Sequence, residues 1–223
     1  MSSAVAPRSG GRPTAAAAAL LETTILDHAT VAFLRDGYAA TSIEAIARDA
    51  HVAKRTIYTR WEGKPALFLA VARRLMTAWL SLTDTWPETD DLQAALHVAA
   101  RSILDVGLTP EAIALHRMMI AEGDRFPELQ VIMDQAGAQE GMRRIARILA
   151  RGVAAGQLRP LDTAFAAEQF LHLILAGPQR RALGLRTPLD AQARDTWREA
   201  AVRLFLSGCL PRDAAVPGID APP

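Results

Sequence analysis

Apolar positions recur every three to four residues along most of the chain, and no stretch alternates apolar with polar as a half-buried strand would. The pattern predicts an all-helical protein. From Thr14 a helix runs to Asp36 with Leu21, Ile25, Ala29, Ala32 and Phe33 on one face, and Gly37 ends it as a C-cap. Thr41 followed three residues later by Glu44 makes a capping box that starts a second helix, whose Ile43, Ile46, Ala47 and Ala50 share a face. A corner at His51-Val52-Ala53 leads into a third short helix from about Lys54, in which Ile57 and Trp61 point inward. Gly63 as N-cap and Pro65 in the first turn open a fourth helix, which carries Leu67, Phe68, Val71, Leu75 and Trp79 to near Trp86 without a breaker. Such a helix would be a stiff connector. Further helices are expected at about 90–106, 110–121, 126–155, 162–176 and 188–210, with breaks at 107–110, 123–127, 156–160 and Gly177-Pro178. Residues 1–13 and 211–223, rich in Ser, Gly and Pro or in Pro alone, read as a disordered arm and tail.

Composition adds a polarity to this outline. The net charge of +1 is uninformative, but residues 1–75 hold ten Lys/Arg against six Asp/Glu, leaving fifteen against eighteen of the totals of 25 and 24 for the rest. A basic end on a near-neutral body suits a protein that touches nucleic acid with one end. The only two lysines, Lys54 and Lys64, fall in that end. A single cysteine, Cys209, excludes an internal disulfide framework and fits a reducing compartment. Apolar runs fall short of a membrane span, and Ala15–Leu21 flows into an amphipathic helix with no good cleavage site. The expected setting is the cytoplasm, with no membrane partner.

Chemistry concentrates between Thr41 and Trp61, TSIEAIARDAHVAKRTIYTRW. Around the inward pair of the third helix stand Lys54, Arg55, Thr56, Tyr58, Thr59 and Arg60, all hydrogen-bond donors with no reason to be buried. A short helix with such a face suits the major groove, where cations reach guanine edges and hydroxyls reach phosphates. A solvated charged face is the commoner origin of a basic run. Against it, no acidic residue lies between Lys54 and Arg60, and hydroxyls are interleaved with the cations.

From about Leu20 to Leu75 the chain resembles the TetR-type one-component transcriptional repressors, in FLRDGYAATSIEAIA, the corner, KRTIYTRW and GKPALFLAV. The resemblance implies that Trp61 plugs the core of a small helix-turn-helix domain over residues 14–75. It implies that Thr41, Thr56, Tyr58, Arg60 and Lys64 contact the DNA backbone and that Lys54 and Arg55 read bases or phosphates, and Ser42 and Thr59 are further candidates for DNA contact. Two positions depart from the family pattern. His51 stands where a glycine usually turns the corner, and Ala53 where Ser or Thr caps the recognition helix. A histidine tolerates positive φ at some cost, and a lost cap oxygen costs about 1 kcal/mol.

Residues 76–210 form the expected larger domain. Phe165, Phe170, Leu171 and Ile174 line one broad apolar face near its end, and Trp197, Leu204 and Phe205 line another. They either pack inside one subunit or, as the resemblance implies, form a homodimer interface, so that two heads grip a near-palindromic operator on double-stranded DNA. The resemblance also implies a pocket for an apolar or aromatic small-molecule effector, with Trp79, Trp86, His97, His116, Met119, Phe126, Met133 and His172 as candidate linings. Met and aromatic residues at helical spacing are more often ordinary core. Neither His116 with Glu122 nor Glu168 with His172 has the Glu-x-x-His spacing of bundle metal sites, no Cys/His cluster suits zinc, and no Gly-rich phosphate loop or serine elbow exists. No metal or cofactor is expected, and no enzymatic activity. The competing readings are an architectural DNA-binding protein without effector and, more remotely, a helical-bundle metalloenzyme.

Overall fold

The computed structural model describes residues 14–81, 86, 89–127 and 139–211, the side chains of 79–81 and 139 excepted. Among them every regular element is a helix, in agreement with the all-α expectation: α1 (Ala15–Ala40), α2 (Ile43–Asp49), α3 (Lys54–Arg60), α4 (Lys64–Ser81), α5 (Leu92–Gly107), α6 (Pro110–Glu122), α7 (Gln139–Ala154), α8 (Thr163–Arg180) and α9 (Ala191–Cys209). A π-helical turn, Arg181–Leu185, extends α8. The expected arm and tail lie outside the described residues, apart from Pro211. The chain divides after Val71 into two compact units.

Helix starts follow from side-chain oxygens. Thr14, Ser42, Asp91, Thr109, Asp162 and Asp190 each accept a backbone N–H of the first turn that has no partner within the helix. Ser42, and not Thr41, caps α2. The Thr41 hydroxyl instead turns back, donating to the Gly37 carbonyl at 2.7 Å with the Ala32 carbonyl at 3.2 Å. Gly37 is non-helical at φ 76° and ψ 172°, and a further turn to Ala40 follows the kink it makes.

The first unit is built around Phe33, Tyr38 and Phe68, whose ring centroids lie 5.1–6.1 Å apart. Ile25, Ile46, Ile57 and Leu67 are fully buried beside them. By length and hydropathy α1 would qualify as a membrane span, contrary to the expectation from apolar runs. Its Ile25, Ala29 and Phe33 are wholly buried in this core, while Glu22 and Asp27 lie along its length, so one face of the helix packs on the core and the rest carries charge.

In the second unit α8 packs against α5, α7 and α9, and α5 against α7 and α9, so that four helices share one core. Leu96, Ala99, Ala100, Leu149, Ala167, Phe170, Ile174 and Val202 are wholly excluded from solvent. Phe170 meets Phe205 edge-on at 5.0 Å. Cys209 is buried, which pushes its thiol up and keeps it protonated.

The expected break at Gly177-Pro178 does not occur. Helix α8 runs through both residues to Arg180. Proline lacks the N–H that would satisfy the carbonyl four residues back, here that of Ile174. The Trp197 indole of α9 donates to that carbonyl at 3.0 Å and takes the missing partner's place. Gly177 makes the approach possible, because a Cβ there would stand 2.5 Å from the Trp197 ring.

Candidate nucleic-acid interface

Helix α3 forms with little help from its own sequence. Its N-cap, Ala53, supplies no side-chain oxygen, and no acidic residue occupies the first turn. His51 turns the corner at φ 54°, which costs a residue with a β-carbon roughly 1–2 kcal/mol. The uncapped start costs about 1 kcal/mol more. Ile57, wholly buried, returns about 1.5–3 kcal/mol. These terms roughly cancel, so α3 owes its order to α2 and the core beneath it. Trp61 is only half-buried and takes an extended conformation after the helix, so Ile57 is the inward anchor and Trp61 a partial one.

The outward side chains fall into two groups. Arg55 is exposed and Arg60 half-exposed, and neither guanidinium has an ion-pair partner among the described residues. Tyr58 is 49% exposed, without a packing reason for a ring of that size to face water. Thr56 is half-buried. Thr59 is exposed, with its hydroxyl donating to the Arg55 carbonyl at 2.8 Å. These residues share one short helix and point away from the core.

The other candidates are engaged within the protein. Thr41 is 4% exposed with its hydroxyl committed to α1, which removes its side chain from the phosphate contacts expected of it. Ser42 is half-buried and caps α2. Lys54 forms an ion pair with Glu44 of α2 and lies 5.5 Å from the Tyr58 ring centroid. The hydrogen bond to Glu44 raises the Lys54 ammonium above its ordinary value and lowers the Glu44 carboxyl. The absence of acid within α3 had suggested unpaired cations, but the partner comes from across the corner. Lys64 donates to the carbonyls of Thr41 at 2.8 Å and Ala39 at 3.2 Å, and lies 4.4 Å from the Tyr38 ring. It thereby closes the end of α1.

The candidate effector residues differ in exposure and in partners. Trp79 (by its side chain) and Met133 lie outside the described residues. His172 is exposed, which excludes it from an enclosed lining. Phe126 is buried, and Met119 and His116 are half-buried. Burial lowers the His116 imidazole below its ordinary value. Trp86 packs on the core of the second unit with its indole N–H buried and unbonded. The His97 Nδ1 lies 3.0 Å from Nη1 of Arg198. Since arginine only donates, Nδ1 is the acceptor and the ring proton sits on Nε2. Arg198 is 8% exposed and also reaches Asp195 at 3.3 Å. Burial first, and the Arg198 charge second, hold the His97 imidazole below its usual value. A groove of about 420 Å³ opens elsewhere, between α7 and α8, lined by Met142, Ala146, Phe165 and Glu168. No group of three metal-ligating side chains converges among the described residues.

The two apolar faces near the end of the chain prove to be mixed. Phe170 and Ile174 are wholly buried within the subunit, which removes these two from the expected dimer surface, and Trp197 is half-buried with its indole bonded to α8. Leu171 and Phe205 are half-buried. Phe165 at 60% and Leu204 at 65% stand in solvent.

Comparison with known proteins gives this arrangement its family. The model of the bacterial regulatory proteins of the tetR family matches residues 25–71, and that of the AefR-like transcriptional repressor C-terminal domain matches residues 94–208. A TetR-family transcriptional regulator from Mesorhizobium loti shares the fold with a TM-score of 0.77 and 26% identity, over 87% of this chain and 98% of its own. The flavonoid-responsive regulator FrrA does so with a TM-score of 0.72 and 30% identity, over 87% and 99%. The transcriptional regulator RutR of Escherichia coli strain K12 is 26% identical over 203 aligned positions, covering 84% of this chain and 90% of RutR. These relatives regulate transcription and are not enzymes. With a helix-turn-helix unit followed by a helical one, and matches to family models over both, this chain belongs to the TetR family of bacterial transcriptional regulators.

Proposed function

We propose that the protein is a sequence-specific, dimeric repressor that a small apolar or aromatic effector releases from a near-palindromic operator in the cytoplasm. The observation that carries the reading is the outward face of α3. Arg55, Tyr58 and Arg60 stand there with no internal use for their polar groups, on a helix too short and poorly capped to exist for its own sake. Arg55 is the base reader, suited to the O6 and N7 of a guanine, and Tyr58, Arg60 and Thr56 hold the backbone. Phe165 and Leu204, exposed on α8 and α9, support a second copy covering this end of the chain. The flavonoid-responsive relative supports an aromatic effector in the second unit. Binding there would favour a spacing of the two heads that no longer fits successive major grooves, and would weaken the operator complex by as much as the effector discriminates between the two states.

Fluorescence anisotropy at physiological salt tests this, with the duplex upstream of the protein's own gene against a scrambled duplex and with operators selected from random duplexes. A preference of about a thousandfold for one sequence is expected. Equal, weak binding to every duplex would identify an architectural binder instead.

A further inference from the structure

The ion pair between Glu44 and Lys54 stands on the face that the proposed function turns toward DNA. Glu44 belongs to α2 and is 61% exposed at its side chain, so nothing in the core demands a carboxylate there. Its partner is the first residue of α3. A lysine at that position is doubly misplaced for folding, since it puts a cation at the positive end of the helix dipole and follows an N-cap without an oxygen. Glu44 supplies the missing negative charge from outside the helix. The Lys54 ammonium is then held between that carboxylate and the Tyr58 ring, while Arg55 and Arg60 have no such partner among the described residues.

We propose that Glu44 is a specificity-determining positioning residue: its carboxylate keeps Lys54 on the protein, so that α3 reads DNA with its arginines and gains no sequence-blind attraction from the lysine. The inference rests on the DNA-binding reading above. The physical logic is one of competition. A phosphate and a carboxylate each offer one negative charge, but the carboxylate is tethered beside the ammonium and meets it at high effective concentration. Lys54 therefore releases no net counterion on binding. Every site on DNA offers phosphates, so a free ammonium would strengthen wrong and right complexes alike and leave less discrimination per unit of affinity.

Salt titration of operator and scrambled duplex by the full chain separates this role from a merely structural one. In Glu44→Gln the amide keeps the shape and drops the charge, and Lys54 turns to a phosphate. The plot of log K against log salt should steepen by about 0.9, and binding to the scrambled duplex should rise about fivefold at 0.15 M salt. Lys54→Gln in the unaltered background should leave the slope unchanged, and the double substitution should restore it. Arg55→Gln, by contrast, should flatten the slope or erase one base preference. An unchanged or shallower slope in a helical Glu44→Gln protein would overturn the proposal, as would a loss of about one counterion in Lys54→Gln. If the unaltered protein binds no duplex at all, the DNA-binding reading itself falls, and this inference falls with it.

Discussion

Replacing Trp197 with phenylalanine tests why α8 survives its proline. The ring is kept in large part, and the change removes the N–H that serves the Ile174 carbonyl at 3.0 Å. Ile174 is wholly buried, so water cannot take over, and Pro178 has no N–H to offer. A buried acceptor left unsatisfied costs about 1–3 kcal/mol, and the smaller ring adds a little lost contact. The sharper test repeats the change in a Pro178→Ala background. There residue 178 regains its N–H and the Ile174 carbonyl an ordinary helical bond, so Trp197→Phe should cost about 1–2 kcal/mol less than in the native background. Urea unfolding of the full chain, followed by far-UV circular dichroism so that the lost tryptophan leaves the signal intact, gives each free energy. Equal costs in the two backgrounds, within about 0.5 kcal/mol, would refute the substitution of indole for amide.

Three other perturbations have defined outcomes. Gly177→Ala places a methyl 2.5–2.6 Å from two ring atoms of Trp197 and should destabilise the second unit by about 1–3 kcal/mol in the same urea assay, the cost shrinking in a Trp197→Phe background. Thr41→Val keeps the shape of the buried side chain, removes its hydroxyl, and should cost the first unit about 1–3 kcal/mol, whereas Thr41→Ser should cost less; hydrogen exchange of α1 and α2 amides reads both. The lowered His97 and His116 imidazoles mean that the unfolded chain takes up protons before the folded one as pH falls below their ordinary value of 6.5. Stability should then decline with falling pH from about that point. A second positive charge at His97 would face Arg198, with Glu199 and Asp91 offsetting part of it, and His97→Gln should blunt the decline.

Much of this was legible from residue order alone. Helical periodicity, the corner at His51, the inward Ile57 and the uncapped start at Ala53 all rest on neighbours within one or two turns. What escaped depends on residues brought together by folding. Thr41 and Ser42 are adjacent hydroxyls, each able to cap α2, and the choice is made by the Gly37 carbonyl waiting beneath Thr41. Gly177-Pro178 reads as a stop until an indole 23 positions from the orphaned carbonyl is in place. The pairing of Lys54 with Glu44 crosses the corner over ten positions, beyond the reach of any helical spacing rule. Phe170 and Ile174 showed an apolar face correctly, but periodicity carries no information on whether the covering surface belongs to the same chain or to another.

The economy of α3 has a bearing on how such a protein changes its target. Apart from Ile57, little on the seven-residue helix contributes to its being a helix, and Arg55, Tyr58 and Arg60 contribute least. Codons for those outward positions are therefore free to drift or be selected with small penalty to folding, because the core under α2 carries the cost of order. A gene copy could acquire a new operator through a handful of substitutions while its scaffold stayed the same. Retargeting by design could begin at the same three side chains.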